Sequence, residues 1–137
     1  MLTSSEKRDY ILRMIAQIRQ MVEAVMGKVR QNESAAELLA QARESLSGLL
    51  GPMADVVQRL DSASAAQMVN DPDVLGAWAN VVAAEAEVHR AAGDAATAGA
   101  LSRRALELAL EAHQRTLSDV PELLALIGRL QAQVDAS

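Results

Sequence analysis

Two long alanine-rich stretches are joined by nothing more than the pair Gly93-Asp94. Glycine tolerates the left-handed backbone that ends a helix, and aspartate is a preferred N-cap, so one helix stops and the next starts within two residues. A connection that short forces the two helices to run antiparallel and to pack along their length. Small residues at Ala86, Ala98 and Ala105 suit such a pair, because alanine lets backbones approach closely. The rest of the chain points the same way. Half of its residues (50%) are apolar, yet Tyr10 and Trp78 are the only aromatics. Strand-type alternation of aromatic or β-branched residues runs nowhere over a useful length. The sequence therefore predicts an all-α protein, and 137 residues make one domain with a single core.

Composition removes several function classes. With no Cys there is no disulfide, no thiolate nucleophile and no sulfur-bound zinc. A net charge of −5 argues against nucleic-acid binding by the whole domain. The charge is uneven: Lys7, Arg8, Arg13, Arg19, Lys28 and Arg30 face only Glu6, Asp9 and Glu23 in the first segment, which leaves the remainder acidic. That first segment is interrupted by Arg13, Arg19 and Glu23, so it reads neither as a secretory signal nor as one of the roughly 20-residue apolar runs that span a membrane. A cytoplasmic protein is expected.

About five helices are expected, arranged as an antiparallel bundle: N-terminal helices over 1–70, then a helical hairpin at 72–115 and a C-terminal helix within 71–137. The first helix, about 6–30, carries Ile11, Ile15, Ile18, Val22, Val25 and Val29 at alternating spacings of four and three. Met14, Met21 and Met26 widen that seam, which favours a core-facing helix over a free coiled coil; a homodimer surface is the alternative. The second helix begins near Ser34, with Ser34 and Glu37 at capping-box spacing, and stops at Gly51-Pro52. Its apolar face is Ala35, Leu38, Leu39, Ala42, Leu46, Leu49 and Leu50. A short piece follows over 53–60, and 61–70 reads either as one more helical turn or as an ordered loop. Asp71 caps the next helix with Pro72 in its first position, Asp94 caps its partner, and Asp119 with Glu122 three residues on is expected to cap the last.

Residues 74–113 resemble a tetratricopeptide unit. The turn Gly93-Asp94, the small residues Ala86 and Ala98, and the run Ala105-Leu106-Glu107-Leu108 carry the likeness. Val82 stands where such repeats begin on a large residue, and His89 and Ser102 stand where they prefer aromatics. No second copy recurs at the expected period, so a closed bundle with one repeat-like hairpin is expected rather than an open stack. Taken whole, the chain is also similar to a family of small bacterial all-helical proteins of no established activity, which open on a helix like Asp9-Tyr10-Ile11-Leu12-Arg13.

Candidate chemistry is sparse. His89 lies one turn before the Gly93 turn and His113 about 30 Å beyond it, too far to share an ion within one hairpin. Glu85 and Glu87 diverge on a helix, while Arg103, Glu107, Glu111 and Arg115 form a charge ladder at spacings of four. No phosphate-cradling glycine loop or nucleophile elbow is present, so no catalytic residue, metal or cofactor is assigned. The expected function is a non-enzymatic protein–protein interaction module. The resemblance implies that its groove is lined by the first helix of the hairpin, which would present Asn80, Ala83, Glu87, Arg90 and Ala91 to a protein or peptide partner. A subunit that self-associates through the seam of the first helix is the competing reading.

Overall fold

The computed structural model describes residues 3–136, and helix is the only regular structure among them. In chain order the α-helices are α1 (Ser4–Arg30), α2 (Ala36–Leu50), α3 (Ala54–Arg59), α4 (Ser62–Val69), α5 (Pro72–Ala91), α6 (Ala95–Gln114) and α7 (Pro121–Asp135). Among the described residues, six of these reach 8 residues or more, one beyond the expected five; α3 has 6. The additional helix is α4, in the stretch that sequence left between turn and loop. Asp61 caps it by accepting from the Ser64 N–H, and Asn70 ends it in the left-handed conformation at φ 47°.

The α5–α6 turn forms as its residues dictate. Gly93 sits at φ 84°, its N–H bonds to the Arg90 carbonyl and the Asp94 N–H to the His89 carbonyl, which completes a Schellman cap. Asp94 then caps α6 through the Thr97 N–H, so one residue closes one helix and opens the next. Two small-residue seams meet along the hairpin. Leu75, Ala79, Val82 and Ala86 of α5 and Ala98, Ser102, Ala105, Ala109 and Ala112 of α6 are all buried, and the two helices pack along their length.

Elsewhere two expected caps do not form. No side chain caps α2, where the Ser34 hydroxyl reaches only the Ala36 N–H at 3.5 Å and Ala35 is buried at the N-cap. In α7 Val120 is the N-cap and Pro121 fills the first position, which leaves Asp119 one residue too early. A capping box does form at Thr3 and Glu6, and it starts α1 at Ser4.

Helix directions follow from which residues meet. Arg8 of α1 pairs with Asp71 and Asp73 at the start of α5, while Val25 packs with Ala84 further along both, so α1 and α5 run parallel. Glu122 of α7 lies beside Asn80, and Gln133 beside Glu87, so α7 also runs parallel to α5. The intervening α2 and α6 run the other way. Each hairpin partner packs on its successor: α2 on α5, α6 on α7. Trp78, Leu75, Val81, Ile18, Leu46 and Leu108 centre the main core. Of the α1 seam only Ile18 and Val25 are fully covered, by α5 and α2; the remainder is half-buried.

Candidate functional site

Because α1, α5 and α7 run side by side in one direction, residues at matching heights along them border one cleft of about 330 Å³. Its floor is α5, through Asn80, Ala83, Ala84 and Glu87, at spacings of three and four that keep them on one face. One wall is the α1 stripe Arg19, Val22, Glu23, Met26 and Arg30. The other is the α7 stripe Glu122, Leu126, Arg129, Leu130 and Gln133. Alanines keep the floor low, and Leu126 and Leu130 are buried beneath the α7 wall. The base of the cleft thus sets apolar Ala83 and Ala84 between polar Asn80 and Glu87, and its rim is charged.

Three of the five residues named from sequence, Asn80, Ala83 and Glu87, line this cleft. Arg90 does not. Its guanidinium pairs with Glu87 and donates to the Ser102 hydroxyl at 3.0 Å, beneath the neighbouring turn. Ala91 is exposed at the end of α5, away from the cleft. Gln133 closes the group: it donates to Glu87 Oε1 at 2.9 Å and accepts from Ser102 Oγ at 3.3 Å. Ser102, 1% exposed where a tetratricopeptide motif prefers an aromatic, is therefore the hydroxyl that ties α5, α6 and α7 together. Glu87 meets the cleft with its charge already engaged.

The rim charges differ. Among the described residues Arg19, Arg30 and Arg129 make no ion pair or side-chain hydrogen bond, nor do Glu23 and Glu122. The two walls escaped sequence reasoning, although the α1 stripe has the helical spacing that could have marked it. What the spacing does not carry is which helix lies opposite.

The remaining candidates are structural. Glu85 turns to α2, 3.9 Å from Arg43; burial raises its carboxyl above the usual range, against the pull of Arg43 and His89. His89 Nδ1 is 3.8 Å from Asp94, and His113 Nδ1 is buried without a hydrogen-bond partner among the described residues. The charge ladder forms only in part: Arg115 meets Glu111 at 3.0 Å, whereas Glu107 accepts from Ser62 Oγ at 2.8 Å and Arg103 is left unpaired among the described residues. Arg104 instead lies 5.1 Å over Trp78, donates to Ser62 and loses hydration there, which lowers its pKa. Among the described residues no group of three His, Asp or Glu could hold a metal ion, and no helix is long and apolar enough to cross a membrane.

Comparison with protein-family models, curated proteins and solved structures finds no match to this chain.

Proposed function

We propose that this chain is a protein-interaction module of tetratricopeptide-like build that receives a segment of a partner protein in the cleft between α1, α5 and α7. The cleft itself carries the reading: a floor of alanines between Asn80 and Glu87, under a rim of charges that form no ion pair among the described residues, is a surface suited to another chain. The helix order supports it. Each hairpin packs on its successor, with α1, α5 and α7 sharing one direction and one face, as repeat modules present their first helices to a ligand. The reading is non-enzymatic: the carboxylates that line the cleft, Glu23, Glu87 and Glu122, stand with no Ser, His, Lys or Tyr among the lining residues. A cytoplasmic setting goes with it.

The test fills the floor. Ala83→Trp projects an indole into the cleft, while Ala83 itself is only half-buried. A partner cross-linked to the wild-type chain in its native cell should be lost from this variant, with the circular dichroism melt unchanged. Equal recovery rejects the cleft. Arg90→Glu is a poor probe, because it breaks the contacts with Glu87 and Ser102.

A second reading, self-association through α1, draws on one observation: Tyr10 and Leu12 are 50% and 43% exposed on its N-terminal half. Ile18→Asp and Val25→Asp cannot test it, since both side chains are fully buried in the fold. Leu12→Glu with Tyr10→Glu can. A sedimentation mass unchanged by that pair, and equal to one chain, removes the idea.

A further inference from the structure

We infer that the cleft takes an amphipathic helix from another protein, whose apolar stripe is bordered by aspartates and glutamates. The inference rests on the cleft being a docking site and adds what docks there. Its shape argues for a helix. Arg19 and Arg30 on α1 are three turns apart, about 16 Å along the wall, a stretch that a helix laid beside α1 covers with about three turns of its own. Ala83 on the floor lets such a helix approach, while Val22 and Met26 offer it an apolar, adaptable flank.

The charges argue for an acidic border. In a chain of net charge −5, three guanidinium groups without ion-pair partners among the described residues face this one cleft. Two stand on the α1 wall and Arg129 stands on the α7 wall, so a helix laid between them meets cations on both sides. Against them stand Glu23 and Glu122, because Glu87 is already engaged by Arg90 and Gln133. The excess is cationic, and guanidinium forks suit carboxylates well. A nucleic acid fits less well: both carboxylates on the rim would repel phosphates, and no aromatic lines the cleft on which a base could stack.

Fluorescence anisotropy on the full chain tests this with three labelled peptides of about 18 residues, long enough to hold a helix when bound. One has a Leu/Ala stripe bordered by Glu, its twin has Lys in place of Glu, and the third is the Glu peptide with a central proline. The Glu peptide should bind about tenfold or more tightly than either control, and Arg30→Glu with Arg129→Glu should reverse the order of the Glu and Lys peptides. Both arginines are exposed, so the double variant keeps its fold, which a melt verifies. Equal binding of the Lys twin, equal binding of the proline peptide, no binding of the Glu peptide up to about 1 mM, or its displacement by an equal concentration of single-stranded RNA each overturns the inference. Ala83→Trp separates the two levels. If that variant loses the native partner while the Glu peptide never binds, the cleft stands and the acidic helix falls; if it keeps the native partner, the cleft itself falls.

Discussion

Gly93 shows how much one backbone angle decides. At φ 84° it lies where a side chain is strained, yet nothing stands within 4 Å of the place its Cβ would occupy. Gly93→Ala therefore tests conformation without a clash, and it should cost about 1 kcal/mol, a drop in Tm of roughly 2–6 °C. Asn32, which closes α1 at φ 56° through the same pair of cap bonds, is the matched control. Asn32→Gly should leave Tm the same or slightly higher. An unchanged melt for Gly93→Ala would remove the left-handed cap as the reason for glycine there. Glu85 makes a different residue-scale case. Burial holds its folded carboxyl above the unfolded value, so between those values the folded chain binds the extra proton. Stability then falls as pH rises through that window, and at neutral pH the ionised side chain carries its full desolvation cost. Arg43, 3.9 Å away with its side chain 60% exposed, offsets little of it. Glu85→Gln should melt higher than wild type near pH 7, with the advantage shrinking as pH falls through that window and gone below the usual glutamate value. An advantage independent of pH would assign the gain to packing instead. Asp61 and Asp94 act in a separate and lower window. Their cap bonds lower both carboxyls, so what they add is lost only as pH falls beneath the ordinary aspartate value.

At the scale of the element, helices announced themselves where a cap and a breaker are both local. Asp71-Pro72 started α5, Gly93-Asp94 joined it to α6, and Gly51 ended α2 at φ 83°, each readable within a few residues. The signals that misled are equally local but compete with packing. Ser34 and Glu37 have the right spacing, yet Ala35 is drawn into the core between α1 and α5, which starts α2 after it. Asp119 and Glu122 match the same pattern, but Pro121 fits the first helical position and sets the start from there. The 8 residues of α4 carry too little periodicity to declare themselves, and their helix depends on Ala65 and Ala66 being buried against the rest. Asp71 has a second role invisible to any local rule. Besides accepting from the Asp73 and Val74 N–H groups it pairs with Arg8 at 2.8 Å, which fastens the first turns of α1 to the start of α5. Asp71→Ala should therefore cost about 1–2 kcal/mol and also raise amide exchange in α1 before Ile15. Asp73→Ala, which loses an exposed pairing with Arg8 and no cap, should do less on both counts. Unaltered exchange in that half of α1 would reduce the Arg8 contact to decoration.

For the whole molecule, the face of α5 was legible and its surroundings were not. Asn80, Ala83 and Glu87 share a face by helical spacing alone, whereas Arg19, Arg30 and Arg129 join them only through the parallel course of α1, α5 and α7, a long-range fact. The same course makes the cleft unequal in strength. α1 is gripped by both α2 and α5, while α7 rests mainly on α6 and touches α5 lightly, chiefly through Leu126, Leu130 and the Glu87–Gln133 contact. Trp78, the sole tryptophan, lies under Arg104 of α6 and reports the central core. Leu130 is 2% exposed, so Leu130→Ala should cost about 2–5 kcal/mol. That loss falls almost entirely on α7, which has no helix beyond it among the described residues to share the load. In urea, wild-type unfolding followed by Trp78 fluorescence and by far-ultraviolet circular dichroism should coincide. In Leu130→Ala the helical signal should fall first, as α7 releases while Trp78 stays buried, and peptide binding should disappear with that first step. If the two probes still coincide in the variant, α7 unfolds only with the core, and the cleft wall is as firm as the helices beneath it.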